Sequence, residues 1–235
     1  MLARGARDDA PDHHRQASEY VARELLWSRS ASIPTRVCDH QVMGETIVLQ
    51  ARDPRRDELE RIGWVVAARS FGAQLDVDRI DEHKLGVLAA AAGISTRELV
   101  TADIDAVLKL DRSTIEDYPG SIATQHPPLD PHRASPSSAR RGFGAFPPSG
   151  ELVAMTFLDI EGTHAETDFT VVHAQWRRRG IATAVKAASL LALAGEGFTR
   201  FRTGGSADNE AIIRANDALG YLRDEEWVTL ERCSV

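Results

Sequence analysis

The sequence predicts an α/β (α+β) fold in which helices flank a mixed central sheet. Two observations support this prediction. After Gly150 the segments follow the order β–β–α–β–α–β. The helix predicted over residues 180–195 is apolar almost all round, with Thr183, Lys186 and Ser189 as a thin polar stripe, and a helix of that composition is buried, here against a sheet.

The first hundred residues contain a smaller set of α/β elements. Helical spacing of apolar residues predicts a helix over 16–28, and β-branched residues predict a strand over 45–51. A short helix over 55–64 is closed by Gly63, because glycine tolerates the left-handed conformation that ends many helices. An extended segment over 64–77 follows, with a bulge expected at Gly72.

The middle of the chain contains two predicted helices and a long loop. The first helix covers 81–95 and ends at Gly93, and the second covers 101–117 with Thr101 or Asp103 as its cap. Residues 118–150 are rich in proline, serine and glycine. A loop of this length is uncommon in a compact domain and is usually functional or disordered.

The C-terminal elements are predicted from alternation, helical spacing and turn residues. Gly162 and Thr163 mark the turn between the first two strands, and Ser206 or Asp208 caps the second helix. The predicted ranges are strands at 151–161 and 165–173, a helix at 180–195, a strand at 199–204, a helix at 208–220 and a last strand or hairpin arm at 221–235.

Composition restricts the functional classes. The net charge of −7 argues against nucleic acid as a partner, and no apolar run is long enough to cross a membrane. The N-terminus lacks the apolar stretch of a secretory signal, and Cys38 and Cys233 are too few for a disulfide framework or a cysteine zinc site. The adjacent His13 and His14 do not form a metal site. We therefore expect a reduced, cytoplasmic protein that requires no metal.

The segment HAQWRRRGIATAVK at 173–186 predicts an anion site. The first amides of a helix have no partner within it and carry about half a positive elementary charge, so phosphate binds there readily. Gly180 allows close approach, and Arg177, Arg178 and Arg179 add positive charge. The alternative is that these arginines are solvated or paired with carboxylates.

The same segment resembles motif A of the GCN5-related N-acetyltransferases, the GNAT superfamily. Arg177, Gly180 and Ala182 fill the positions of [QR]-x-x-G-x-[GA]. Downstream, TGGSADNEAIIRANDALGY resembles motif B, and VTADIDAVLKLD resembles the opening strand and first helix of that fold. The resemblance covers residues 97–235 and implies a GNAT fold.

The resemblance implies acetyl-CoA as co-substrate. Main-chain amides after the strand would hold its diphosphate, and the end of that strand would hydrogen-bond the pantetheine arm. The positions implied in binding are Val171, Val172, Arg177, Arg178, Arg179, Gly180, Ile181, Ala182, Thr183, Asn209 and Asn216. For the two asparagines, capping or surface hydrogen bonding is the alternative.

The implied reaction is acetyl transfer to a primary amine of a small molecule or peptide. A carboxylate would take the amine proton, with Asp168 favoured over Glu166, Glu161 and Asp159.

Many family members have a tyrosine on the motif B helix that protonates the departing thiolate, and this chain has Asn216 there. Tyr221 and Tyr118 are the other candidate hydroxyls, Tyr221 being also a candidate core aromatic. Glu116, Asp117, Tyr118 and His126 are candidates to contact the amine, and the alternative is that the loop over 118–150 is simply mobile.

The resemblance also predicts how the chain is divided. Residues 95–235 form the GNAT domain, and residues 1–94 form a partial GNAT-like half or an unrelated α/β extension. Because a partial sheet exposes edge strands, we expect the N-terminal piece to dock on the C-terminal domain or on another subunit. We expect the chain to be a monomer or a homodimer. Two alternative functions remain: a catalytically weak acyl-CoA-binding or regulatory module, and the transfer of a longer acyl chain than acetyl.

Overall fold

A computed structural model describes residues 45–90, 93–117, 124 and 126–232. The helix predicted over 16–28, both cysteines, the two adjacent histidines and Tyr118 lie outside these residues. Within them, Glu45–Arg232 form one compact unit.

The unit is built on one mixed sheet. Its strands are β1 (Glu45–Gln50), β2 (Val65–Asp76), β3 (Ser95–Glu98), β4 (Arg140–Phe146), β5 (Ala154–Glu161), β6 (His164–Val172), β7 (Arg200–Ser206) and β8 (Leu222–Arg232). They lie side by side in the order β1-β8-β2-β7-β6-β5-β4-β3. The β6–β7 pair is parallel and every other neighbouring pair is antiparallel, which confirms the predicted mixed sheet.

Helices cover both faces of this sheet. They are α1 (Arg55–Arg61), α2 (Glu82–Ala90), α3 (Ile104–Thr114), α4 (Ile181–Gly195) and α5 (Glu210–Leu219). Alternate side chains of β5 show the two layers: Ala154 and Leu158 join the core cluster of α2, α4 and α5, whereas Met155 and Phe157 join that of α3. A third cluster packs Leu59 of α1 against β1, β2 and β8.

Strand β2 lies between β7 and β8 and is hydrogen-bonded to both. Its register against β8 shifts between Gly72 and Ala73, which confirms the predicted bulge. The domain boundary predicted between residues 94 and 95 therefore falls inside one compact unit, with strands from both sides of it in the same sheet.

The loop predicted over 118–150 is wrong in its last part, because β4 lies there. Gly142 and Gly144 lower the strand signal of this segment, yet packing requires them. A Cβ atom on Gly144 would lie 2.6 Å from the side chain of Leu152 and 2.7 Å from that of Leu99, both of which are buried. Glycine is present in this strand because a neighbouring layer packs directly on its backbone.

Several predicted boundaries also differ from the structure. The helix predicted over 81–95 begins at Glu82 and is described as far as Ala90, and strand β3 begins at Ser95, before the segment in which the opening strand was expected. Asp103, and not Thr101, occupies the cap of α3, where its carboxylate accepts the Val100 amide at 2.8 Å. Helix α5 is capped by Asn209, and not by Ser206 or Asp208.

Candidate active site

Strands β6 and β7 diverge after a short paired stretch. The pairing runs only from His164–Arg200 to Glu166–Arg202, although β6 continues to Val172 and β7 to Ser206. On its other side β6 has a bulge, because the register against β5 moves from Phe157–Phe169 to Leu158–Thr167 and skips Asp168. The sheet therefore contains a wedge-shaped gap that is closed at Glu166 and open at Val172.

The turn after β6 exposes backbone amides at the open end of this gap. Arg178 and Gly180 have positive φ angles of 61° and 75°, which turn the chain sharply into α4. None of the described residues accepts a hydrogen bond from the amides of residues 178–183. A Cβ atom on Gly180 would meet nothing within 4 Å. These amides and the positive end of the helix dipole lie where the sequence predicted an anion site, and the binding of an anion there stays a prediction.

The three arginines have different contacts. Arg177 donates from Nε to the Val172 carbonyl oxygen at 2.9 Å and from Nη2 to Asp117 at 2.9 Å. Arg179 lies over the ring of Trp176, with its guanidinium carbon 5.0 Å from the ring centroid. All three side chains are exposed. Arg177 therefore shapes the turn through its guanidinium, whereas the amides that follow it are available to an anion.

The backbone at the end of β6 presents one residue to the gap. The His173 amide donates to the Val153 carbonyl at 2.9 Å, toward β5. Successive residues of a strand direct their N–H and C=O groups to alternate sides, so Val171 also faces β5 and Val172 faces the gap. The structure thus separates two positions that the sequence analysis had treated alike.

A cavity lies at the closed end of the gap. Its walls are residues 167–170 of β6, residues 203–206 of β7, Lys186 of α4, Asn209 and Ile212 of α5, and Thr124. The walls are mostly polar, with threonine hydroxyls from both strands. A group that entered between the strands from the helix terminus would therefore end in a polar chamber.

Lys186 is the most unusual wall residue, and the sequence analysis did not identify it as a site residue. It is 2% exposed, and its Nζ donates to Oγ1 of Thr203 at 3.0 Å and to Oγ1 of Thr167 at 3.4 Å. Burial lowers the pKa of Lys186 to about 7. The available signal was a single lysine in the thin polar stripe of an otherwise apolar helix.

The opposite side of the sheet carries a network of charges. Arg140 donates to Asp159 and to Asp168, each at 2.6 Å, and Arg133 lies 3.5 Å from Asp168. The side chain of Asp168, the favoured proton acceptor of the sequence analysis, is 8% exposed. Its carboxylate already accepts a hydrogen bond from Arg140 and lies in an ion pair with Arg133, so it is engaged by arginines on its own side of the sheet.

Glu166 is better suited to accept a proton. Burial raises the pKa of Glu166 to about 7, and the nearby carboxylates of Glu225, Asp159 and Asp168 act in the same direction, against the opposing effect of Arg202. A pKa near the working pH is what a general base requires. Glu166 lies at the closed end of the gap, in the last residue pair of β6 and β7.

The two asparagines of α5 differ in their partners. Oδ1 of Asn209 accepts the Ile212 amide at 3.2 Å and so caps the helix, while the residue also lines the cavity. Asn216 is 2% exposed, and neither its Oδ1 nor its Nδ2 has a hydrogen-bond partner in the described part of the chain. Asn216 lies on the helix face that includes Asn209 and Ile212, because residues three to four apart share a face.

Tyr221 is buried next to the cavity. Its phenol lies near the hydroxyl of Thr167, and its ring centroid lies 5.4 Å from Nζ of Lys186. Burial raises the pKa of the phenol, which makes it a weaker proton donor than an ordinary tyrosine. Tyr221 therefore reaches the cavity through Thr167 and Lys186, and its predicted role as an acid gains no support from this geometry.

Some of the acidic and aromatic residues that the sequence proposed for the acceptor side lie near the gap, and others do not. The ring of His126 stacks on Phe169 of β6 at 4.1 Å between centroids, and Asp111 lies 3.5 Å from its Nε2 atom. Asp117 pairs with Arg177 at the turn. Glu161 lies at the far end of β5, paired with His164, and so lies away from the gap.

Among the residues that the structure describes, no group of three or more histidine, cysteine or carboxylate side chains is placed to hold a metal ion. Over the same residues, no helix combines the length and the apolar character that a membrane span needs.

Comparison with known proteins gives matches by structure alone. No family model and no curated protein matches the sequence. A GCN5-related N-acetyltransferase from Sphaerobacter thermophilus matches with a TM-score of 0.60 and 16% identity, over 82% of this chain and 62% of that one. This chain thus spans less than two thirds of the length of that protein.

Two other solved structures give the same result. A tandem GNAT protein from the clavulanic acid biosynthesis pathway matches with a TM-score of 0.57 and 19% identity, over 95% of this chain and 71% of that one. A GCN5-related N-acetyltransferase from Kribbella flavida matches with a TM-score of 0.56 and 14% identity, over 81% and 68%. A structural match at such low sequence identity shows the fold alone. The chain has the fold of the GCN5-related N-acetyltransferases, as its arginine-glycine turn and downstream helix indicated.

Proposed function

We propose that the chain is an acetyl-CoA-dependent N-acetyltransferase that acts on a primary amine of a small molecule or a peptide. One observation carries this proposal. The gap between β6 and β7 has unpaired helix-terminal amides at its open end and a buried carboxylate with a raised pKa at its closed end.

The open end supplies the binding energy for an anion. The amides of residues 178–183 would donate to the diphosphate of coenzyme A, and the absence of a Cβ on Gly180 leaves room for it. The exposed Arg178 and Arg179 add positive charge around this position. Arg177 would act indirectly, by fixing the turn onto the Val172 carbonyl.

The gap itself would hold the pantetheine arm. An extended arm needs backbone partners, and the unpaired edges of β6 and β7 provide them beyond Glu166. The Val172 amide faces this space, whereas that of Val171 is used by β5. The acetyl group would then reach the polar cavity at the closed end.

Deprotonation of the acceptor amine is assigned to Glu166. The amine must lose a proton as its nitrogen bonds to the carbonyl carbon, and a carboxylate of pKa near 7 accepts that proton at neutral pH. Asp168 would hold Arg140 in place. His126, stacked against β6, would form part of the acceptor side of the site.

The proposal is tested with acetyl-CoA and a panel of primary amines, including peptides with free N-termini. Thiol release that depends on the amine, together with a mass gain of one acetyl group on it, is the expected result. Absence of coenzyme A binding in calorimetry would contradict the proposal at its first step. The same assay would settle whether the active species is a monomer or a homodimer if it is run across protein concentration.

A second function is favoured by one specific observation. Asn216 lies where many members of the family that the chain resembles have a tyrosine that protonates the departing thiolate. A side-chain amide does not act as an acid near neutral pH. The chain would then be a catalytically weak module that binds acyl-CoA and reports its presence. Tight binding of acetyl-CoA without thiol release for any amine in the panel would support this alternative.

A further inference from the structure

Lys186 stands out first because lysine is rare in this chain. Of the 28 lysines and arginines, only Lys84, Lys109 and Lys186 are lysines. Arginine does not lose its proton in proteins, whereas a buried lysine readily does. The chain therefore uses arginine for nearly all of its positive charge and has a lysine at a position where the side chain is removed from water.

The surroundings of Lys186 contain hydroxyl groups but no counter-charge. Its Nζ contacts Thr167, Thr203 and the ring of Tyr221, and no carboxylate in the described part of the chain forms an ion pair with it. Burying an ammonium without an anionic partner is costly. The cavity that Lys186 lines is thus a place where a negative charge would be stabilised.

Titratable groups on the neighbouring elements do not supply that charge. On β6, Glu166 is directed to the opposite side of the sheet from Thr167, and Asp168 is paired with Arg140. On β7, Arg202 pairs with Asp224 and Glu225 of β8. The phenol of Tyr221 stays neutral at ordinary pH. Burial alone accordingly lowers the pKa of Lys186.

The proposed reaction creates one anion in this space. When the acceptor nitrogen bonds to the carbonyl carbon, the carbon–sulfur bond breaks and the sulfur keeps the electron pair as a thiolate. This anion forms between β6 and β7, at the end of the arm that the diphosphate site anchors. The amine proton passes to Glu166, and the sulfur needs a proton from another donor.

We propose that Lys186 is the general acid of the reaction: its ammonium stabilises the departing thiolate of coenzyme A and transfers a proton from Nζ to the sulfur. This inference rests on the proposed function. The products are the amide and coenzyme A as a free thiol, and they leave Glu166 protonated and Lys186 neutral. Glu166 then releases its proton to solvent and Lys186 regains one from solvent, so both groups return to their starting states. Thr167 and Thr203 hold Nζ toward the cavity in both protonation states, because a hydroxyl both donates and accepts.

The first test uses coenzyme A alone as the probe. The ultraviolet absorbance of its thiolate is followed against pH for coenzyme A free in solution and bound to the full chain. An ordinary thiol has a pKa of about 8.5. We expect binding to lower the pKa of the coenzyme A thiol by about one unit or more, which is a tenfold change in acidity. Lys186→Met should abolish this shift, and the exposed Lys109→Met should keep it.

The outcomes separate the two proposals. If wild-type protein does not bind coenzyme A, the proposed function fails. If coenzyme A binds and its thiol pKa is unchanged, or is lowered equally in Lys186→Met, only the inference about Lys186 is overturned. Lys186→Gln provides a second neutral variant if the methionine variant is poorly folded.

The second test separates proton transfer from simple charge stabilisation. With any amine that supports turnover, Lys186→Met should lower kcat by about 100-fold, in the range of general acid catalysis, and leave KM within about threefold. Lys186→Arg retains a positive charge but does not release its proton, so the thiol pKa should stay low while kcat stays reduced. Full turnover in Lys186→Arg would overturn proton transfer by Lys186.

Discussion

Nζ of Lys186 lies 3.0 Å from Oγ1 of Thr203, so a residue of helix α4 is joined to strand β7 beneath the gap in the sheet. This contact is the polar link between the helix that starts at the anion site and the strand that forms the far wall of the cavity. Both chemical ends of the proposed site therefore depend on the position of one helix.

The buried lysine makes stability dependent on pH. The pKa of Lys186 falls from its ordinary 10.5 to about 7 in the folded chain, so the unfolded chain binds more protons between these values. Stability should therefore rise as pH increases from about 7 toward 10.5, by a few kcal/mol in order of magnitude. Urea unfolding across this range should show the rise in wild type and not in Lys186→Met. An equal rise in stability in both proteins would show that Lys186 is not its cause.

The glycine at the start of α4 should be required for anion binding. In Gly180→Ala the positive φ costs about 1 kcal/mol, and the added methyl group stands beside the amides that face the ligand. We expect coenzyme A affinity to fall at least about tenfold, measured by calorimetry. Gly162→Ala is the matched control, since it also has positive φ and open space but lies in the β5–β6 turn. It should lose similar stability and keep its affinity.

The two acidic candidates of β6 should behave differently when neutralised. Glu166→Gln should lower kcat/KM and remove the acidic limb near pH 7 from the pH profile. In wild type the pKa of Glu166 rises from 4.5 to about 7 on folding, so its burial destabilises the chain increasingly as pH rises through this window. The glutamine variant should therefore be more stable than wild type above pH 7, by roughly 2–3 kcal/mol.

Asp168→Asn should instead act mainly on stability. It removes a partner of Arg140, whose side chain is only 14% exposed, so we expect a loss of about 2–3 kcal/mol at neutral pH. The pH profile of kcat/KM should keep its shape. Disappearance of the acidic limb in Asp168→Asn, but not in Glu166→Gln, would return the role of base to Asp168.

The unpartnered amide of Asn216 predicts opposite effects with and without ligand. A buried polar group without hydrogen bonds costs about 1–3 kcal/mol, so Asn216→Leu should raise the melting temperature of the free chain. If this amide contacts coenzyme A, the same variant should bind it more weakly and gain less thermal stability on adding it. Unchanged coenzyme A affinity would show that the amide has no such contact.

Sequence patterns predicted the order of elements after Gly150 and the exposed glycine turn at the start of α4, because alternation, helical spacing and glycine positions are local. They failed for β4, whose glycines make room for the side chains of Leu152 and of Leu99, the latter being distant in sequence. They also carried too little information to choose between Asp168 and Glu166 as the base. That choice depends on the bulge at Asp168 and on Arg140, which comes from another strand.

Sequence patterns could not show which of Val171 and Val172 directs its backbone amide into the gap. That direction depends on how β6 is paired in register with β5. Lys186 is a similar case. A lysine on an apolar helix suggests an exposed tip as readily as a buried amine, and only the positions of Thr167 and Thr203 decide between them.

The insertion of β2 between β7 and β8 has a consequence during synthesis on the ribosome. Asp76 and its partner Arg200 are 124 residues apart, so β2 leaves the exit tunnel long before either neighbour exists. At about 5–20 residues per second, this strand waits roughly 6–25 s for its partners. For that time the backbone N–H and C=O groups of Val65–Asp76 have neither of the strands to which they are hydrogen-bonded in the folded chain.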